Sequence, residues 1–230
     1  MHSGLLALLA WVGAADCACA APPPWPDTPV SRLEALALLQ TLNAALLSHD
    51  SATLTLEQWC GTHHIADPAQ VIARRVAAVD KPAGDEQRAL LLVSATEPVR
   101  YRRVQLTCGG VVLSQADNWY VPARLSTQMN AELEHSDTPF GKVVRSMHFS
   151  RHTLSSKLLW QPMPEGWDSG RAVVPGKGRL NVPAAVLEHR AVLTREDGTP
   201  FSEVVETYTG NVLAFPMPPV AGARCDGAKK

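Results

Sequence analysis

Residues 99–107, VRYRRVQLT, decide the fold class because apolar and polar side chains alternate along them. A period of two is typical of a β-strand, in which successive side chains point to opposite faces of the sheet. Arg102 then shares a face with Val104 and Leu106 and points toward the interior. A guanidinium on an apolar face is costly unless it is paired. Arg102 therefore predicts either an ion pair within the protein or an anionic ligand.

A second strand supplies a possible partner for this arginine. In residues 203–208, EVVETY, Glu206 shares a face with Val204 and Tyr208, whereas Glu203 lies on the other face. Alternation alone does not tell which of the two glutamates points inward.

The remaining periodicity predicts an α+β domain with a mostly antiparallel sheet. Leucines recur at spacings of three and four in the first of three expected helices, and the other strand-like segments are separated by glycine, proline and charged residues. Strands joined by turns, rather than by alternating helices, favour antiparallel pairing. We expect helices over 30–48, 54–63 and 126–135, further strands over 71–76, 111–121, 187–194 and 202–209, and a long loop over 161–183.

Composition limits the partners of the chain. Its 230 residues are 46% hydrophobic, which is enough for one sizeable core. The net charge is only −1, so the protein has no positive electrostatic field that would attract the phosphate backbone of a nucleic acid. We therefore expect no nucleic-acid partner. A single domain over 28–215 is predicted, after a proline-rich linker over 21–27 and before a polar tail over 216–230.

The first twenty residues have the pattern of an export signal. An apolar run over 4–12 precedes Ala18-Cys19-Ala20, which fits a small-x-small cleavage site. The run is too short to span a bilayer and no second one follows, so we expect no integral membrane segment. A periplasmic or secreted protein is predicted. Because no basic residue precedes the run, a cytoplasmic location stays open as the alternative.

Three cysteines remain if these residues are removed. In an oxidising compartment Cys60, Cys108 and Cys225 permit one disulfide, and the sequence leaves open whether Cys60 bonds Cys108 or all three are free thiols. Cys60 and His63 also have zinc-like spacing, but no second pair completes a set of four ligands. No metal site is predicted.

Several segments, taken in order, resemble chorismate lyase, which removes pyruvate from chorismate to leave 4-hydroxybenzoate. The resemblance covers most of residues 40–210. It implies a single antiparallel sheet with helices packed on one side, a fold shared with the effector-binding domain of some bacterial transcription regulators. The matching segments are LLSHDSATL at 46–54, YRRVQL at 101–106, YVP at 120–122, TPFG at 138–141, GTP at 198–200 and VETY at 205–208.

The resemblance also implies a set of site residues. Arg102 corresponds to the arginine that holds the ligand carboxylate, and Glu206 to the glutamate that bonds the ring hydroxyl, with Glu203 as its fallback. Backbone N–H groups in two turns contact the ligand, which places Ala52 and Phe140 in the pocket wall.

One site residue departs from the pattern. Asn118 stands where the family commonly has an arginine, so one positive contact for a dicarboxylate substrate is missing.

The resemblance therefore implies a carbon–oxygen lyase that cleaves chorismate to 4-hydroxybenzoate and pyruvate, a reaction of ubiquinone biosynthesis. We expect the enzyme to be monomeric and to need no cofactor. Arg102 would clamp the anion, and Glu206 would accept a proton from the developing phenol. The predicted export signal conflicts with this function, because chorismate is a cytosolic metabolite that an exported enzyme would not meet. The alternative is an exported, non-catalytic binding protein for a small aromatic carboxylate.

Overall fold

A computed structural model describes residues 25–76 and 79–217, and a six-stranded antiparallel sheet runs through the described part. The order across the sheet is β1-β2-β3-β6-β5-β4, so β6 lies between β3 and β5, and β1 and β4 form the edges. The strands are β1 Val71–Arg75, β2 Arg100–Cys108, β3 Val111–Tyr120, β4 Ser150–Leu158, β5 Ala185–Thr194 and β6 Pro200–Thr209. This is the predicted α+β class with an antiparallel sheet.

Two long helices cover one face of the sheet, which we call the front face. α1, Pro29–Leu47, begins after Thr28, whose hydroxyl accepts a hydrogen bond from the Ser31 amide at 3.1 Å. The side of α1 that carries Leu39, Leu42 and Leu46 is buried in the main core. α2, Ala52–Thr62, follows after a short loop. Both agree with the helices predicted over 30–48 and 54–63, of which the first was expected from leucine spacing.

A disulfide links the front layer to the sheet. Cys60 of α2 is bonded to Cys108 at the end of β2, and both residues are fully buried. The free-thiol alternative for these two residues is therefore wrong, and Cys60 is not available as a metal ligand. Cys225 lies outside the described residues.

One short helix lies on the opposite, back face. α3, Asp85–Leu90, is followed by Leu91, which packs with Trp119 and Val121 in a separate apolar cluster. The indole of Trp119 donates to the Lys81 carbonyl at 2.8 Å. The expectation that the helices pack on one side therefore holds for α1 and α2 but not for α3.

Two short helices close the end of the front face. α4, Thr127–His135, was predicted, and α5, Phe140–Val143, follows the turn at 138–141. Strand β4 was not predicted, because its residues are mostly polar and the ladder contains a bulge between Thr153 and Ser155.

The domain extends slightly beyond its predicted limits. Trp25, assigned above to the linker, is buried and donates to the Phe215 carbonyl at 2.8 Å. The predicted export signal and most of the polar tail lie outside the described residues. Within the described part, no helix combines the length and apolar character needed to cross a membrane.

Candidate functional site

A small cavity lies between the front face and the start of α2, and we call it the inner cavity. It measures about 50 Å³. The wall contains all five residues proposed from sequence, and Arg151 of β4 is an addition that the sequence did not indicate. The predicted members are Ala52, Arg102, Asn118, Phe140 and Glu206.

Arg102 is the unusual residue of this wall. It is only 3% exposed, and no carboxylate lies within ion-pair distance among the described residues. One terminal nitrogen donates to the Thr138 carbonyl at 3.2 Å, and Nε has no partner. Burial, with a smaller contribution from nearby Arg75, lowers the pKa of Arg102 to about 10, and Tyr120 and Asp137 oppose this shift only weakly. A buried cation with no carboxylate in contact is a favourable place for an anion.

Asn118 stands directly opposite Arg102 on the neighbouring strand. Its side-chain nitrogen donates to the Ser202 hydroxyl at 2.7 Å, while Oδ1 is buried without a partner. Arg102 and Asn118 are therefore neighbours in the cavity wall, and each carries a buried polar atom without a partner.

Glu206 lies on the other side of the cavity and is already paired. Its Oε2 accepts from Arg151 at 2.6 Å and from the Tyr208 hydroxyl at 3.2 Å. The Arg151 and Glu206 side chains are 5% and 7% exposed, so this ion pair is buried. Arg102 and Glu206 do not form the pair that the sequence suggested as possible.

The structure separates the two candidate glutamates. Glu203 is fully buried on the back face, where its Oε1 accepts from Arg190 at 2.7 Å. The fallback position is thus remote from the inner cavity, and Glu206 is the glutamate that lines it.

A buried histidine connects this ion pair to α1. His189 packs edge-on against Tyr208 with ring centroids 5.5 Å apart, and its Nε2 lies 2.7 Å from Asn43 Oδ1. An amide oxygen only accepts, so Nε2 carries the proton and Nδ1, which has no partner, does not. Burial lowers the pKa of His189 to about 4.

The first turn of α2 forms the roof of the cavity. Ala52 and Thr53 line it, and Ser51 caps the helix through its hydroxyl and the Leu54 amide. The amides of a first helical turn lack partners inside the helix and favour negative charge. Gly141 approaches this cap so closely that a Cβ would lie 3.3 Å from the Ser51 hydroxyl.

The buried charges of the wall sum to one positive charge. Arg102 and Arg151 contribute two, and Glu206 removes one. Asp50 also belongs to the wall but is exposed at the rim, where water screens its charge.

A larger cavity, of about 510 Å³, lies beside the end of β6. Its described lining, which includes Trp25, Gln105 and Asn211, contains no ionisable side chain. It therefore lacks the groups that would fix a charged ligand.

The chain has a close relative of known sequence. It is 56% identical over 196 residues to the uncharacterized protein y4mC of Sinorhizobium fredii, covering 84% of this chain and 83% of that protein. No protein-family model matches the chain.

Solved structures similar to the chain come from transcriptional regulators. The effector domain of PhnF from Mycobacterium smegmatis is 14% identical, covering 70% of this chain and 90% of that one, with a TM-score of 0.44. A longer PhnF structure from the same organism is 13% identical, and the match covers 89% of this chain and 94% of that one, with a TM-score of 0.45. The ligand-binding domain of a GntR-family regulator from Bordetella bronchiseptica is 16% identical, and the match covers 60% of this chain and 82% of that one, with a TM-score of 0.38.

These comparisons correct the enzymatic interpretation. The similar structures are regulator domains and not chorismate lyases, so the prediction that the chain cleaves chorismate and serves ubiquinone biosynthesis is wrong. The alternative, an exported protein specific for aromatic carboxylates, gains no support from them. The inner cavity, at about 50 Å³, is also well below the roughly 300 Å³ of a typical small-molecule pocket.

Proposed function

We propose that this chain, which belongs to the same family as y4mC of Sinorhizobium fredii, is a binding domain for a small organic monoanion. The observation that carries the proposal is the buried guanidinium of Arg102, a residue of the cavity wall that has no carboxylate within ion-pair distance among the described residues and whose Nε has no hydrogen-bond partner. A carboxylate placed there would accept from Nε and a terminal nitrogen together. The first turn of α2 would add to the attraction.

Charge within the wall supports a monoanion over a dianion. The Arg151–Glu206 pair is neutral as a unit, which leaves one positive charge for a ligand. A second negative group would enter the cavity without a partner, at a substantial desolvation cost. Asn118, with its unpartnered oxygen, favours a hydrogen-bond donor on the ligand.

The test is a thermal-shift comparison of acids with neutral isosteres, using the full chain. Acetate and hexanoate are compared with acetamide and hexanamide, and with the dianion succinate. A ligand at about 100 times its Kd adds about 2.7 kcal/mol of stability, which raises Tm by roughly 2–4 °C per kcal/mol in a protein of this size. We expect shifts from the monocarboxylates and little from the amides or succinate.

Arg102→Met is the decisive variant and Arg103→Gln is its matched control. Arg103 follows on the same strand, but its side chain contacts Gln115 and Asp117 on the back face. The shift should vanish in Arg102→Met and persist in Arg103→Gln. Equal shifts from acids and amides, or retention of the shift in Arg102→Met, would overturn the proposal.

The compartment is a separate proposal. The Cys60–Cys108 bond supports maturation in an oxidising compartment, because disulfides persist in the periplasm or outside the cell and are rare in the cytosol. Together with the apolar run at 4–12, this favours a periplasmic or secreted protein. Cell fractionation followed by thiol alkylation tests the location and the bond together.

A further inference from the structure

A second cavity adjoins the inner one, and we call it the outer cavity. It measures about 160 Å³. The two cavities share four wall residues, Asp50, Ser51, Gly141 and Phe149, so only a thin set of side chains lies between them. The outer cavity adds Leu54, Lys142, Arg145 and His148.

Phe149 is the large apolar side chain common to both walls. Its ring packs edge-on against Phe201, with centroids 6.2 Å apart, and the residue is half-buried. The backbone on either side is constrained, since His148 is left-handed with φ 47° and the Arg151 amide donates to Asp50 at 3.0 Å.

The outer cavity has an apolar wall on the side nearest this ring. Leu54 is 42% exposed, although it lies in the first turn of α2 beside the cavity. The charge of Lys142 is taken up by Glu57, whose Oε1 lies 2.5 Å from Nζ. Leu54 and Phe149 are thus the two large apolar side chains of the outer wall, and of the two only Phe149 also lines the inner cavity with Arg102.

We infer that the ligand is an elongated amphipathic acid whose carboxylate lies at Arg102 and whose apolar body passes Phe149 to reach Leu54. The inference rests on the proposed function and specifies its substrate class. The inner cavity alone is too small for more than an acid group and a few atoms. The outer cavity accommodates the remainder, and Phe149 sets how long a chain can follow the acid group.

The test is the dependence of affinity on chain length, measured by calorimetry on the full chain with acetate, butyrate, hexanoate and octanoate. Each methylene buried in an apolar site strengthens binding about fourfold. We expect affinity to rise along the series until the outer cavity is filled. An affinity for octanoate no greater than that for butyrate would overturn the inference.

Two variants test the roles of Leu54 and Phe149 in binding the apolar chain. Leu54→Gln, at a partly exposed position, should weaken octanoate at least tenfold and leave acetate within twofold. Phe149→Trp, which fills the connection, should weaken octanoate more than acetate. Trp167→Ala removes an exposed aromatic outside both walls and should change neither acid. Equal losses for acetate and octanoate in both cavity variants would contradict the inference.

Failure of the inference is distinguishable from failure of the proposed function. Arg102-dependent binding of acetate without a gain along the series would overturn the elongated ligand and leave the anion site intact. Absence of binding by all four acids would overturn both.

Discussion

Arg151 and Glu206 form a buried ion pair of 2.6 Å on one side of the inner cavity, and this pairing leaves Arg102, on the other side, as the uncompensated charge. Two arginines and one glutamate therefore perform different tasks although they line the same space. The pair is part of the structure, whereas Arg102 makes one hydrogen bond, to the Thr138 carbonyl, and has no carboxylate within ion-pair distance among the described residues. Burying an unpaired charge destabilises the fold, and binding of an anionic ligand would explain why the protein keeps Arg102 at this position.

Removal of the Arg102 charge should stabilise the unliganded protein. Burial lowers the pKa of Arg102 to about 10, so the folded state disfavours the cation that the unfolded state solvates. Arg102→Met keeps much of the side-chain volume, and we expect an increase of about 1–3 kcal/mol in the free energy of unfolding. Urea denaturation without ligand measures it. A loss of stability would show that Arg102 has a structural partner after all.

Breaking the Arg151–Glu206 pair should have the opposite effect. Arg151→Met leaves the Glu206 carboxylate buried with only the Tyr208 hydroxyl as a partner, and we expect a loss of about 3–5 kcal/mol. The double variant Arg151→Met, Glu206→Gln removes both charges and keeps an acceptor for Tyr208. It should recover most of the loss in the same denaturation assay, and a double variant as unstable as the single one would contradict the assignment.

These contacts show how far the sequence could be interpreted. Alternation placed Arg102 correctly because residues 100–106 pair with β3 in regular register and present one apolar face. It did not distinguish Glu206 from Glu203, because both glutamates are buried, one on each face, and each is paired with an arginine from another strand. Contacts between distant strands, and not the local sequence pattern, determine which glutamate faces the cavity.

Arg151 was missed for a related reason. Strand β4 is an edge strand with mostly polar residues and a bulge, so it lacks the alternation that indicates a strand. The only available signal was indirect, namely that an inward-facing glutamate requires a cationic partner. The chorismate lyase resemblance implied an antiparallel sheet, which the structure has, but the chorismate-cleaving function inferred from it is wrong. A fold alone does not determine chemistry, which depends on individual residues such as Asn118.

Stability should fall in mild acid because of His189. Its pKa is about 4 in the folded protein, where it is fully buried beside the Arg151–Glu206 pair and Tyr208, and about 6.5 in the unfolded chain. Between these values the unfolded state takes up a proton that the folded state does not, so the free energy of unfolding decreases as pH falls from about 6.5 to 4. The full decrease is about 3 kcal/mol.

The measurement compares wild type with His189→Gln by urea denaturation at about pH 7 and pH 4.5. The variant lacks the titrating group and should lose about 2–3 kcal/mol less between the two pH values. Parallel losses in the two proteins would assign the acid sensitivity to other groups.

The disulfide should contribute strongly to stability. Cys60 and Cys108 are separated by 48 residues, and cross-linking a loop of that length restricts the unfolded chain by about 4 kcal/mol. We expect a loss of this order in the Cys60→Ser, Cys108→Ser double variant under oxidising conditions. Wild type treated with reductant under partly denaturing conditions serves as the comparison. A variant as stable as oxidised wild type would show that the bond does not form in the folded protein.

The most direct test of the central claim follows the Arg102 Nε–H group itself. Its NMR resonance is assigned by its absence in Arg102→Lys and is then observed while hexanoate or hexanamide is added to the full chain. We predict that hexanoate shifts this resonance downfield and slows its exchange with water, because the unpartnered Nε gains a carboxylate acceptor, whereas hexanamide does not. A resonance that is unchanged at saturating hexanoate would contradict an anion site at Arg102.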